Sequence, residues 1–108
     1  MNTSRPGASP QQRALALERA NHVRLARAVL KRRLRAGEVV AAEAILRSSR
    51  DTDTMTVKEL LLSQRGWGPR RAAKMMRSVS LSETKTLGSL TERQRLTLAA
   101  VLSSHEKD

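Results

Sequence analysis

Between Arg65 and Arg77 the chain carries five cations, Arg65, Arg70, Arg71, Lys74 and Arg77, and no acid. They surround Gly66-Trp67-Gly68-Pro69, which breaks the apolar run Leu60-Leu61-Leu62 and leads into a second helical pattern through Ala72, Ala73, Met75 and Met76. Glycine enters backbone regions that a Cβ forbids, so Gly66 and Gly68 predict a tight reversal. Gly68 is expected at positive φ, with its main chain open to close approach. Pro69 suits the first position of a helix, where its missing N–H costs nothing. That helix then starts with N–H groups lacking intrahelical acceptors, and with the helix dipole these favour one anion. In so basic a setting the anion that fits is a backbone phosphate of a nucleic acid. A plain tight turn is the competing explanation. The small Ala72, placed where two helices must approach, makes the spacing more specific than a bare glycine pair.

A phosphate reader of this kind needs a scaffold and a field. The chain has 108 residues, one small domain, with 21 Lys+Arg against 10 Asp+Glu and a net charge of +11. Arg supplies 16 of the 21 cations, and its planar fork matches phosphate better than an ammonium does. A pI near 11.7 is the footprint of a polyanion binder. The absence of Cys excludes disulfides and thiolate metal sites, and His22 and His105 read as exposed helix residues, so no metal and no cofactor are expected. No apolar run reaches the ~18 residues a membrane span needs, and no secretion signal is visible, so a cytoplasmic place is expected. With Trp67 the only aromatic residue, Leu, Val, Ala, Ile and Met must build a lean core.

In order, Met1–Ala8 reads as a flexible polar arm. Ser9-Pro10-Gln11-Gln12 is a helix start with a capping box, and Gly37 stops that helix after Ala36. At about 100° per residue, Arg13, Arg24, Arg27, Lys31 and Arg35 fall within an arc of roughly 80°, beside an apolar strip of Ala16, Val23, Leu30 and Leu34. Glu18 is the only acid between Gln11 and Gly37, whereas a face built only for solubility mixes signs. A second helix is expected over residues 38–49, packing through Val39, Val40, Ala42, Ile45 and Leu46. Thr56-Val57-Lys58-Glu59 is a second capping box and opens a helix-hairpin-helix over about residues 57–79. Thr91-Glu92-Arg93-Gln94 is a third box, before a last helix that runs to about Leu102 and packs through Leu96, Leu98, Ala99, Val101 and Leu102. Residues 104–108 read as a flexible tail. No segment alternates with period two for long enough to make a strand. The expected fold is all-α: a long N-terminal basic helix (9–36), then a compact helical body (37–103).

Met55-Thr56-Val57-Lys58-Glu59-Leu60-Leu61, Gly66-Trp67-Gly68 with Ala72 and Met76, and Leu87-Gly88-Ser89-Leu90-Thr91-Glu92-Arg93-Gln94-Arg95 together resemble the actinobacterial (mycobacterial-type) integration host factor family. The basic first helix, with Leu17-Glu18-Arg19-Ala20 and Leu30-Lys31-Arg32-Arg33-Leu34, extends the resemblance over about residues 11–102. It implies a small nucleoid-associated protein of the ribosomal S13-like helix-two-turns-helix group. Such a protein binds double-stranded DNA with little sequence preference, reshapes it, and assists phage integrase or other recombination proteins. Carried over residue by residue, the resemblance places Gly66, Gly68, Arg70, Arg71 and Lys74 on the phosphate backbone and Lys85 at a basic position before the last helix. Thr86 and Gly88 stand where the family tends to have Arg, and Trp67 stands where it has a small aliphatic residue. These departures suggest a divergent member, such as one carried by a phage or other mobile element.

Three function classes are thus weighed. The leading expectation is an architectural DNA-binding protein, monomeric, with Arg24, Arg27, Lys31, Arg35, Arg65, Gly66, Gly68, Arg70, Arg71, Lys74, Arg77 and Lys85 at its DNA. A structural RNA binder uses the same chemistry, because a hairpin that reads backbone does not read bases. A DNA-repair enzyme fragment would need a catalytic acid and a pocket for a flipped base. The first acid after the hairpin is Glu83, and no nucleophile has a base beside it, so no catalytic residue is expected.

Overall fold

The computed structural model describes residues 9–106, with side chains through Ser104. The arm expected over residues 1–8 and the chain end at 107–108 lie outside the described residues. The described chain forms α1 (Pro10–Ala36), α2 (Ala41–Leu46), α3 (Val57–Ser63), α4 (Pro69–Ser78), a 3-10 turn (Leu87–Ser89) and α5 (Glu92–Glu106). The fold is all-helical, as expected. Two loop segments do pair locally through an isolated antiparallel bridge between Thr56 and Thr86.

α1 begins and ends where its sequence directs. The Ser9 N–H donates to Gln12 Oε1 at 2.9 Å, and the Gln12 N–H donates to Ser9 Oγ at 3.1 Å. At the far end Gly37 turns left-handed, with φ 78°. The Glu38 N–H then donates to the Arg33 carbonyl at 2.9 Å and the Gly37 N–H to the Leu34 carbonyl at 3.2 Å, the paired bonds of a Schellman stop.

The Schellman stop delays the second helix. Glu38 is consumed in closing α1, and Val40 is extended, so α2 starts at Ala41 instead of Glu38. Val40 offers no capping side chain; Gln64, distant in sequence and buried, accepts the Ala41 N–H instead. α2 also ends early, at Leu46 instead of Ser49. The Arg95 guanidinium donates to the Ile45 carbonyl at 2.8 Å and also bonds Ser48 Oγ, taking the acceptor that a further turn would use. Its other nitrogen donates to the Leu87 carbonyl at 2.9 Å, so Arg95 ties α2, the 3-10 turn and α5 together.

The core gathers Leu34, Ala41, Ile45, Met55, Val57, Leu60, Leu61, Ala72, Met75, Met76, Leu87, Leu98 and Leu102. α2 packs on α5, and α3 packs on both α4 and α1. Val40, Leu46 and Leu96, expected to pack, are exposed, whereas Ala41 and Ala44 of α2 and Ala99 of α5 are buried. Only Leu34 of the expected α1 strip is buried, and every residue from Pro10 to His22 is exposed. α1 therefore projects as a rod, and the described chain measures 58 × 28 × 23 Å. The Thr91–Gln94 capping box is complete, at 2.9 and 3.0 Å. α5 then runs through Glu106 instead of fraying after Leu102.

Residues 53–57 and 85–88 lie against one another. The Val57 N–H donates to the Lys85 carbonyl, Leu87 to Met55, and Gly88 to Asp53, each at 2.9 Å. A Cβ at Gly88 would stand 2.8 Å from Asp53 Cβ and 3.2 Å from the Asp53 carbonyl oxygen. The missing side chain at Gly88 thus permits a backbone contact, and the segment before α5 has no room for Arg there.

Candidate nucleic-acid interface

The hairpin, residues 64–68, is pinned on its entry side. The Gln64 side chain caps α2, and the Arg65 N–H donates to the Leu34 carbonyl at 3.1 Å. Trp67 is buried at 8% exposure, its N–H donating to the Gln64 carbonyl at 3.1 Å. Gly66 takes the left-handed conformation, with φ 83°. Gly68 does not: its φ is −112° and ψ 178°, the extended N-cap conformation of α4 that other residues also adopt. The expectation of positive φ at Gly68 is corrected on this point, since one left-handed residue suffices to reverse the chain before Pro69.

What Gly68 does provide is space. A Cβ there meets no atom within 4 Å. Next to that opening, the N–H groups of Gly68, Arg70 and Arg71 have no acceptor among the described residues. Arg65, Arg70, Lys74 and Arg77 are exposed and form no ion pair among the described residues; Arg70 lies in the first turn of α4, Arg77 in its last, and Arg65 against Gly37. Arg71 differs, its guanidinium lying 4.2 Å from the Trp67 ring centroid. A guanidinium stacked on a ring keeps its N–H edge available for an oxyanion while its orientation is fixed. The open space, the N–H groups without acceptors and the stacked guanidinium are the kinds of group that bind an oxyanion.

The basic face of α1 forms a shallow trough floored by Ala16, Ala20, Val23 and Ala28 and rimmed by Arg19, Arg24, Arg27, Lys31 and Arg35. Arg35 is exposed with no ion pair among the described residues, and Arg24 donates to Asn21 Oδ1 at 2.8 Å. Arg27 and Lys31 are already engaged: Arg27 Nη2 donates to the two Glu59 carboxylate oxygens at 2.9 and 3.0 Å, and Lys31 Nζ bonds Glu59 Oε2. Half-burial works against the Glu59 charge, but the bonds from Lys31 and Arg27 prevail and hold its carboxyl below its ordinary range. The capping box predicted from the sequence would turn the Glu59 side chain back to the Thr56 N–H. Only half of that box forms, with Thr56 Oγ1 accepting the Glu59 N–H at 3.0 Å.

The two basic segments, far apart in sequence, are therefore physically joined, at Leu34–Arg65 and at Glu59. Lys85 stands apart from both, half-buried beside the bridge. Sequence reasoning missed Glu59, Gln64 and Arg19. Glu59 and Gln64 act across the fold, and Arg19 lies outside the arc of the other cations. A second groove, lined by Leu25, Val29, Leu30, Val39 and Ala44 between α1 and α2, has the ion pairs Arg33–Glu38 and Arg47–Glu43 at its edge, each at 3.6 Å, and the His22–Asp51 hydrogen bond at 3.0 Å. The unpaired positive charge is thus concentrated on the hairpin and on the trough side of α1. Among the described residues no His, Cys, Asp and Glu gather as a metal site, and no helix is long and apolar enough to cross a membrane.

No family model matches the chain, and no curated protein matches it significantly. Among solved structures, the chain is similar to sIHF, an integration host factor, in a structure of sIHF bound to an 8 bp palindromic DNA. The two are 29% identical, the match covers 79% of this chain and 98% of that one, and the TM-score is 0.69. The architecture described above is accordingly an integration-host-factor-like fold.

Proposed function

We propose that this protein is a non-enzymatic, sequence-tolerant binder of duplex DNA that acts on the shape of the bacterial nucleoid. The observation that carries this reading is the α4 N-terminus, where free N–H groups open onto unfilled space on a helix that carries Arg70, Arg71, Lys74 and Arg77 and no acid, in a fold shared with a protein seen on DNA. The hairpin holds one phosphate through its backbone, and Arg65, Arg70, Arg71, Lys74 and Arg77 neutralise its neighbours. The trough of α1, with Arg24 and Arg35 free of acid, lays a second line of charge beside the first, so the duplex is bent or bridged as it engages both. Phosphate contacts position a protein without reading bases, which is why sequence should matter little. The actinobacterial, helix-two-turns-helix resemblance fits this role. It extends the proposal to a monomer in the cytoplasm that assists site-specific recombination by an integrase.

The test is a binding comparison of duplex DNA, duplex RNA and single strands at one salt concentration, and then a salt titration. Neutralising about six phosphates gives a slope of log K against log salt near −5. Scrambled duplexes should bind within about tenfold of one another. A slope near zero overturns the reading, and a clear preference for duplex RNA moves it to a structural RNA-binding role.

A further inference from the structure

The carboxylate of Glu59 bonds two rim cations of the trough that the proposed function would place on DNA. It is held by Arg27 at 2.9 and 3.0 Å and by Lys31 on its second oxygen. A carboxylate with a guanidinium on both oxygens and an ammonium on one presents the geometry that a phosphate would present to the same pair. Glu59 does not reach Arg27 and Lys31 by chance of a flexible surface. All three side chains are about one-third exposed or less, and α3 packs on α1 at this point.

We infer that Glu59 is an internal competitor for backbone phosphate, a residue of α3 that occupies the anion position between Arg27 and Lys31 and so sets how strongly the α1 trough grips duplex DNA. The inference rests on the duplex-binding reading above. With Glu59 in place, a phosphate arriving at this pair meets a net charge of one instead of two and must share or displace a partner already bonded. The strong grip then falls to the hairpin, and α1 adds a weaker one. Glu59 is also the last acid before the hairpin, on the helix that leads into it. Its partnership with α1 or its release therefore links the state of the trough to α3, the element that supports the hairpin.

The experiment uses the full chain and a fluorescent duplex of random sequence. Wild-type binding is measured first; if the wild type does not bind duplex DNA, the functional reading has failed and the competitor has nothing to regulate. Glu59→Gln keeps the side-chain size, the Thr56 cap on the Glu59 N–H and the Ser63 bond to the Glu59 carbonyl. It should raise affinity roughly tenfold near 0.1 M salt and steepen the salt slope by about one to two, as two cations become free for phosphate. Glu92→Gln, an exposed change of equal charge on α5, should do much less. In an Arg27→Ala/Lys31→Ala background, Glu59→Gln should have no effect beyond that of Glu92→Gln. Helical signal and thermal melting establish that each variant is folded. Unchanged affinity and slope in Glu59→Gln mean that Arg27 and Lys31 never meet DNA, and a fall in affinity means that Glu59 positions them for it. A gain that persists in the double-alanine background is a general charge effect. Each of these three results overturns the inference.

Discussion

The two hairpin glycines sit one residue apart, yet their geometry predicts opposite responses to one added methyl group. Gly66 is left-handed at φ 83°, where a side chain costs roughly 1–2 kcal/mol in the folded state. Alanine recovers about 0.4–1 kcal/mol by restricting the unfolded chain, so Gly66→Ala should lose about 1 kcal/mol net. For a domain of this size, that lowers Tm by roughly 4–8 °C. Gly68 is extended at φ −112°, and its Cβ direction is open to beyond 4 Å. Alanine there is unstrained and gains the same unfolded-state term, while losing about 0.5–1 kcal/mol as a poorer N-cap than glycine. Gly68→Ala should therefore melt within a degree or two of wild type, by the same conversion of about 4–8 °C per kcal/mol. Duplex binding should reverse the order. The methyl group at Gly68 enters the space assigned to a phosphate, so affinity should fall for every sequence alike and the salt slope should flatten by about one. Gly66→Ala, compared well below its Tm, should keep the wild-type slope. Calorimetry or thermal circular dichroism, paired with salt-dependent fluorescence anisotropy, reads both quantities. A stable Gly68→Ala that binds as wild type would refute the claim that the opening above α4 holds an anion.

Arg70→Ala and Arg71→Ala should each weaken duplex binding and flatten the salt slope by about one, and Arg71→Ala should also change Trp67 fluorescence because the 4.2 Å stacking is lost. In the wild type, buried Trp67 should change little when DNA is added, and strong quenching with normal affinity in both Arg variants would place the indole on a base instead. Gly88→Arg, which restores the residue common in the resembling family, should destabilise the fold by about 1–3 kcal/mol in denaturant titration, because its Cβ would stand 2.8 Å from Asp53 Cβ. Glu59 is held below its ordinary value of 4.5, so its contribution is complete above that pH and is lost as pH falls through the lower folded value. Glu59→Gln should therefore be less stable than wild type at pH 7, with the gap closing on acidification; a constant gap from pH 7 to 2 would show that the ion pairs do not stabilise the fold.

Local signals carried much of this structure. The Ser9 and Thr91 boxes, the Gly37 stop and Pro69 at a first helical turn were all legible, because each depends on residues a few positions apart. What escaped reading depends on partners far along the chain. α2 is bounded by Gln64 and Arg95, so no inspection of residues 38–49 could give its ends. The Thr56–Glu59 spacing suited a complete capping box, but two cations on α1 outcompete the single backbone N–H. Gly68 looked like a second left-handed position because composition shows that a glycine is present, not which of its permitted conformations the turn selects. The same limit applies to the candidate interface. The spacing singled out candidate cations, but only the fold shows that Arg27 and Lys31 bond Glu59 while Arg35, Arg65 and Arg70 form no ion pair among the described residues.

α1 is one continuous helix in two different settings. From about Ala26 onward it is braced by Glu59, Leu34 and the Schellman stop, and His22 bonds Asp51, whereas no residue from Pro10 to Asn21 is buried. Helical segments that bury little surface are marginal in water. Backbone amide hydrogens along α1 should therefore exchange in a gradient, fastest near Pro10 and approaching the global opening rate near Leu34. Arg19 and Arg24 also add like charge along this part of the helix, and a polyanion laid on them relieves their repulsion. Occupancy of the rod thus becomes readable as amide protection spreading outward from its braced end, without a label and without any change in the body that carries it.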